Sequence, residues 1–227
     1  MFTGLVKEIG TVKGLRRRGD IAQLTLRAPR CAGELDLGDS LAVNGVCLTV
    51  TGLGSGTVTV DAVAETLRVT TLGGWRSGRR VHLEPALRAG DSLGGHLVLG
   101  HVDGVGVVAA VRRRGEQMRL AITYPAQLGI WLLPKGSIAV DGVSLTLDER
   151  PSAGVFTVNL IPHTLRGTRF AELRPGERVN LEADVLAKGA GRAFPRTAAQ
   201  APAGRPAPLT LDRVLRSGWR RRGGRGS

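Results

Sequence analysis

Residues 40–50 read SLAVNGVCLTV, and residues 137–147 read SIAVDGVSLTL. Each is a pair of β-prone runs around a two-residue turn, Asn44-Gly45 in one and Asp141-Gly142 in the other. Asn-Gly and Asp-Gly are favoured in hairpin turns whose central residues need positive φ. Such a turn sets the register. Val43 then faces Val46, Ala42 faces Cys47, Leu41 faces Leu48 and Ser40 faces Thr49. Side chains alternate across a strand, so Leu41, Val43, Val46 and Leu48 share an apolar face. Ser40, Ala42, Cys47 and Thr49 share the other, and Ser137, Ala139, Ser144 and Thr146 form its match. Small side chains leave room for a flat ligand whose polar edge the hydroxyls can meet. The same alternation also describes an ordinary solvated strand face.

The likeness of the two hairpins extends outward. Residues 4–19 align with 100–115, and residues 66–84 align with 164–182, sharing TLR and the ending RVxLE. Three blocks in one order, offset by 96 to 98 residues, indicate a duplicated domain rather than a short-period solenoid. Short β-rich runs recur between glycine turns: LVKEIGTV, IAQLTLRA, TVTVDAV and RVHLEP. This predicts an all-β fold of two tandem antiparallel barrels, spanning 1–95 and 96–187. Short helices are expected in PAQLGIWLL and around ETLRVTTL and HTLRGTRF.

The chain has 227 residues and a formal net charge of +13. Residues 188–227 hold ten basic side chains and the single acid Asp212, so +9 sits in that tail and +4 in the first 187 residues. The tail is rich in Pro, Gly and Arg, with a helix expected at 210–219 in TLDRVLRSGW. Any nucleic-acid affinity is therefore expected to be non-specific and to come from the tail. An aromatic content of 4% gives the body little to stack unpaired bases on. Two cysteines, Cys31 and Cys47, make neither a disulfide framework nor a CxxC metal site. No apolar run reaches the roughly 20 residues of a membrane span, and MFTGLVKEIG lacks a signal-peptide layout, so a cytoplasmic protein is expected.

His96 and His101, in GGHLVLGH, are five residues apart, a spacing that favours joint metal chelation on neither a helix nor a strand. His101 pairs with Leu5 in the repeat, so it is unique to one half and a candidate acid/base. His82 alternates with Val81 and Leu83 and reads as solvent-facing, and His163 reads as a loop residue. Cys47 is either a nucleophile or a structural thiol. The Arg16–Arg18 and Arg112–Arg114 runs read as solvated turn tips.

Taken together, MFTGLV, NGVCLTV, AETLRVTTL, GGHLVLGHVDG, KGSIAVDGVSLTL, IPHTLRGT and GERVNLEADVLAK resemble the riboflavin synthase family over residues 1 to about 187. The resemblance implies two six-stranded barrels with no cofactor or metal. It implies a dismutation of two 6,7-dimethyl-8-ribityllumazine molecules to riboflavin and 5-amino-6-ribitylaminouracil by transfer of a four-carbon unit. It also implies a homotrimer whose active sites lie between the first barrel of one subunit and the second barrel of its neighbour, with lumazine synthase as a further partner.

Carried onto this chain, the family's first pocket takes Gly4, Leu5, Val6, Ser40, Cys47, Leu48 and Thr49. Asp61, Ala62, Val63, Ala64, Glu65 and Thr66 continue it, with Gly100, His101 and Val102. The second takes Lys135, Ser144, Leu145 and Thr146, with Ile161, Pro162, His163, Thr164, Leu165 and Arg166. Asp141 and Asp184 match acidic positions of the second barrel. His101 is the implied proton carrier, and Cys47 and Ser40 the implied assistants of addition at the acceptor ring. Three departures stand out. His163 replaces the family's usual Glu, which Glu65 keeps in the first half; Gly189-Ala190-Gly191 is expected to interrupt the C-terminal helix; and the basic tail has no counterpart. The alternative is a non-catalytic lumazine- or flavin-binding protein on the same double barrel. Such relatives lose the GGHxxxGH block that this chain keeps.

Overall fold

The computed structural model describes residues 1–148, 151–152 and 154–193; the helix expected at 210–219 lies outside them. The first half forms β1 (Glu8–Arg18), β2 (Ile21–Arg27), β3 (Ser40–Val43), β4 (Val46–Gly54), β5 (Thr57–Val63) and β6 (Arg80–Pro85). They close into an antiparallel barrel in the order β1-β2-β5-β4-β3-β6. The second half repeats the plan with β7 (Gly104–Arg114), β8 (Gln117–Thr123), β9 (Ser137–Val140), β10 (Val143–Thr146), β11 (Val155–Leu160) and β12 (Arg178–Ala183). Its sheet runs β10-β9-β12-β7-β8-β11. The outer strands meet through a bridge between Leu147 and Val158, and the Asp148 N–H donates to the Thr157 carbonyl at 2.9 Å. One irregularity is duplicated as well. β1 bulges between Val12 and Gly14, and β7 between Val108 and Ala110.

The hairpin register is the one the turns dictate: Ser40 opposite Thr49, Ala42 opposite Cys47, and Ser144 opposite Ala139. Leu41, Val43, Val46 and Leu48 are buried in the first barrel, with Leu24, Leu26, Val58, Val60, Val81 and Leu83. Leu120, Ile122, Ile138, Val140, Phe156 and Val158 fill the second. The helices are short: α1 (Pro29–Ala32), α2 (Ala64–Val69), α3 (Pro162–Gly167) and α4 (Val185–Ala193). Single 3-10 turns cover Thr71–Gly74, Ala126–Ile130 and Arg169–Glu172. His163 therefore stands on a helix rather than in a loop. α4 also corrects an expectation, because it follows β12 directly and runs through Gly189-Ala190-Gly191. Glycine lowers helix propensity by about 1 kcal/mol per residue without forbidding the helix. Here Asp184 Oδ1 accepts from the Leu186 N–H at 2.9 Å, and Lys188 reaches Asp103 at 2.6 Å.

The two barrels meet at their duplicated turns, related by an approximate twofold. A Cβ added to Gly45 would lie 2.6 Å from the Gly142 nitrogen, so the turns pack backbone to backbone. Around them the hydrogen bonds come in matched pairs. The His82 N–H donates to Asn44 Oδ1 at 2.7 Å, and the Asn180 N–H to Asp141 Oδ1 at 2.8 Å. His82 Nδ1 meets the Asp141 carbonyl at 2.9 Å, as Asn180 Nδ2 meets the Asn44 carbonyl. His82 Nε2 accepts from the Arg169 N–H at 2.9 Å, and Asn180 Oδ1 from the Thr71 N–H at 2.8 Å. These partners fix the neutral Nδ1–H tautomer, in which an imidazole does the work of the opposite asparagine. His82 is thus not solvent-facing but 2% exposed. Burial is the main reason its pKa falls to about 4. Asp141, also enclosed in the seam, is pushed up to about 6 by desolvation, against the pull of the Asn180 N–H and Arg169.

Candidate active site

Two extended segments cross between the barrels. Phe2, ahead of β1, and Val98, ahead of β7, form an antiparallel bridge, with the Phe2 N–H on the Val98 carbonyl at 2.7 Å and the reverse bond at 3.0 Å. Phe2 and Val98 bury Ala42 and Ala139 between them. The space that small alanines were expected to leave for a ligand is therefore filled, and the hairpin faces are open instead at their half-buried and exposed members, Ser40, Cys47 and Thr49 in one and Ser137, Ser144 and Thr146 in the other.

There each crossing segment lies on the opposite barrel's hairpin. The Ser144 N–H donates to the Gly4 carbonyl at 2.8 Å, and the Cys47 N–H to the Gly100 carbonyl at 3.0 Å. Gly4 has φ +76 and Gly100 φ +80; an added Cβ would stand 2.6 Å from the Ser144 Cβ and 2.5 Å from the Cys47 Cβ. Only glycine meets both demands. This regroups the expected residues. Gly4 sits on the second barrel, whose core Val6 also packs against. Gly100 and Val102 sit on the first. The family resemblance had implied Gly4, Leu5 and Val6 for the first pocket.

The first pocket then gathers half-buried Ser40 and Cys47, exposed Thr49, exposed His101 and half-buried Val102. Leu48 and Ala62 turn inward and are buried in the first barrel's core. Asp61 Oδ1 accepts from Thr51 Oγ1 at 3.1 Å. Val63 is exposed and caps α2, which carries Ala64, Glu65 and Thr66 at its start. Glu65 is held by Arg68 Nε at 2.8 Å, and the guanidinium keeps its carboxyl below the usual range.

The second pocket gathers half-buried Ser144, exposed Thr146 and exposed Lys135, the last at φ +61. Leu145 points into the core. α3 brings Pro162, Thr164 and Leu165 half-buried and His163 and Arg166 exposed, after exposed Ile161. A cavity of about 220 Å³ beside it is lined by Trp131, Leu133, Ser137, Asp184 and Leu186. Asp141, by contrast, belongs to the seam.

Sequence reasoning missed three polar groups at these crossings. His96 is 8% exposed, and its Nδ1 lies 2.7 Å from Ser144 Oγ. Its Nε2 is buried with no partner among the described residues, and desolvation lowers its pKa, with Asp184 opposing. Glu84 on β6 accepts from the Thr3 N–H and Oγ1, each at 2.6 Å, and from the Gly4 N–H at 3.0 Å. Glu182 on β12 accepts from the Leu99 N–H at 2.7 Å and the Gly100 N–H at 3.0 Å. Burial pushes Glu182 up to about 7, against the two N–H donors and Lys188 and with help from Asp103. The signal for both carboxylates was in the repeat, whose shared RVxLE ending sets Glu at one place in otherwise apolar strands.

The lumazine-binding domain family matches the chain twice, over residues 3–86 and 99–184. A riboflavin synthase from Actinobacillus pleuropneumoniae is 36% identical over 96% of this chain and 100% of its own. One from Mycobacterium tuberculosis is 45% identical over 83% of this chain and 95% of its own. Among solved structures, LumP complexed with riboflavin superimposes with a TM-score of 0.75 at 26% identity, over 81% of this chain and 99% of that one. LumP complexed with 6,7-dimethyl-8-(1'-D-ribityl) lumazine gives 0.73, also at 26% identity. With a tandem match across both barrels and relatives of this identity over most of its length, the chain belongs to the riboflavin synthase family of paired lumazine-binding domains.

Proposed function

We propose that the chain is a riboflavin synthase that takes one 6,7-dimethyl-8-ribityllumazine as donor and a second as acceptor of a four-carbon unit. The observation that supports the reading is a pair of like contacts, in each of which a hairpin hydroxyl or thiol residue lies against a glycine of a segment that crosses from the other barrel. Two like pockets suit a reaction of two identical substrates. The products, riboflavin and 5-amino-6-ribitylaminouracil, together contain every atom of the two substrates, so the reaction needs no outside oxidant or reductant. The chain's relatives at 36–45% identity carry the enzyme's name, which favours catalysis over the binding-only reading suggested by the more distant LumP fold match.

The lumazine 7-methyl group is acidic because its carbanion spreads into the ring. The protein's part is to hold two heterocycles in register and to move protons. Orientation is worth about 7–11 kcal/mol in favourable systems, and one positioned acid/base about 10²–10⁴-fold. In this reading His101 carries the proton in the first pocket, and Cys47 and Ser40 assist addition at the acceptor ring. In the second pocket, where Leu5 stands at the repeat position of His101, His96 and Ser144 supply the polar pair, and a hydroxyl bonded to a neutral imidazole can accept or return a proton. The working form is a homotrimer that brings the first pocket of one subunit against the second pocket of the next, acting in the cytoplasm and supplied by lumazine synthase. Residues 1–95 and 96–187 are its two domains, and 188–227 its basic tail. Purified protein given the ribityllumazine should accumulate riboflavin fluorescence through many turnovers; stable binding without product assigns the chain to the binding-only class.

A further inference from the structure

We propose that Glu182 is the positioning residue of the first pocket: from the second barrel it holds the 98–101 segment so that Gly100 lies on Cys47 and His101 is presented to the ligand. Glu182 reaches Leu99 and Gly100 through both oxygens at once, 2.7 and 3.0 Å away. The next link is the Gly100 carbonyl, which receives the Cys47 N–H at 3.0 Å. A carboxylate of one barrel therefore reaches the thiol face of the other through a single residue, Gly100, with His101 as the following residue. Glu84 does the same in reverse, holding Thr3 and Gly4 for Ser144.

The two anchors are not equal, and the difference makes the role testable. Glu84 takes a third bond from the Thr3 hydroxyl. At the matching place in the repeat stands Leu99, which has none to give, so Glu182 works with two donors. The segment that carries His101 is accordingly the more weakly tied of the two. The acidic neighbour Asp103 is itself engaged, accepting from the Ala183 N–H at 2.8 Å and pairing with Lys188. That leaves the Glu182 carboxylate as the side-chain anchor of Leu99 and Gly100.

The turnover part of the test rests on the riboflavin synthase reading; the exchange part does not. Glu182→Gln keeps the side chain's size but sets an NH2 group against one of the two backbone N–H groups. Amide hydrogen exchange at residues 99–101 should then rise about tenfold or more, with residues 3–5 unchanged. Glu84→Gln should do the reverse. In steady-state assays Glu182→Gln should lower kcat about tenfold while KM moves little, as expected when a proton carrier loses its place. Exchange at 99–101 that stays as in the unmodified chain, or rises equally in both segments, overturns the proposal. So does a kcat unchanged in the presence of faster exchange. Should Glu182→Gln fail to fold, Leu99→Thr supplies the missing hydroxyl at a half-buried position outside the pockets, and slower exchange at 99 and 100 is expected; unchanged exchange contradicts the anchor. A chain that makes no riboflavin in any form refutes the enzyme reading while the exchange data still decide the role of Glu182.

Discussion

At the scale of single residues, histidines take three different roles in one chain. His101 is exposed at the first pocket, His96 is bonded to Ser144, and His82 is enclosed in the seam. His101→Ala should lower kcat by about 10²–10⁴-fold with ligand affinity much less affected, measured by parallel turnover and fluorescence titration. His82 makes a separate claim about pH. Its folded pKa of about 4 lies below the usual value, so the unfolded chain binds more protons between roughly pH 4 and 6.5 and stability from this group falls as pH drops through that range. Asp141 and Glu182, raised to about 6 and about 7, act in the opposite direction, their contribution falling as pH rises through those values. His82→Asn, which copies Asn180 across the seam, isolates the histidine. Its stability relative to the unmodified chain should improve by about 2 kcal/mol on going from pH 7.5 to pH 5, read from denaturant melts at both pH values. A difference that does not change with pH would show that His82 binds its proton equally well in the folded and unfolded chain, and a change in the opposite direction that the fold holds it protonated. The alternation Val81-His82-Leu83 placed His82 correctly opposite the core, but strand period says only which face a side chain takes. That face was covered by the second barrel, which no local pattern reports.

At the scale of elements, the hairpins were the most legible part of the sequence. Turn chemistry and period two together fix register, and both turns have the positive φ angles that Asn-Gly and Asp-Gly imply, from 43° at Asp141 to 76° at Gly142. The crossing segments were opaque for the opposite reason. Residues 2–6 and 98–102 owe their paths to long-range bonds with Glu84, Glu182, Ser144 and Cys47, and carry no periodicity of their own. α4 was misread because glycines count against a helix in isolation, whereas a capping aspartate and the Lys188–Asp103 pair decide it in place. The crossing glycines give a sharp prediction. Gly100→Ala must place a methyl group 2.5 Å from the Cys47 Cβ at φ +80, so it should abolish ligand binding in the first pocket while the second still binds. Titration with the lumazine should then show half the unmodified number of sites; an unaltered count would mean that the segment can move aside freely.

At the scale of the whole molecule, duplication was legible from three aligned blocks, and with it the all-β class. The exchange of segments between barrels was not, because a repeat copies each half without saying how the halves meet. The charge divides along the same line. The first 187 residues, which carry both barrels, hold +4, while +9 of the +13 lies in residues 188–227. Deleting 195–227 should leave turnover largely intact and remove any salt-sensitive affinity for nucleic acid, checked by binding titrations at two salt concentrations. The proposed pairing of pockets between subunits adds a complementation test. Chains carrying His101→Ala and chains carrying Ser144→Ala, unfolded and reassembled together, should recover activity that neither has alone. The central claim, that two identical substrates meet in two like pockets and share one set of atoms between two products, is tested most directly by stoichiometry. Lumazine consumed and riboflavin formed should stand in a ratio of two to one, with 5-amino-6-ribitylaminouracil equal to riboflavin; a ratio of one to one, or consumption without riboflavin, would contradict it.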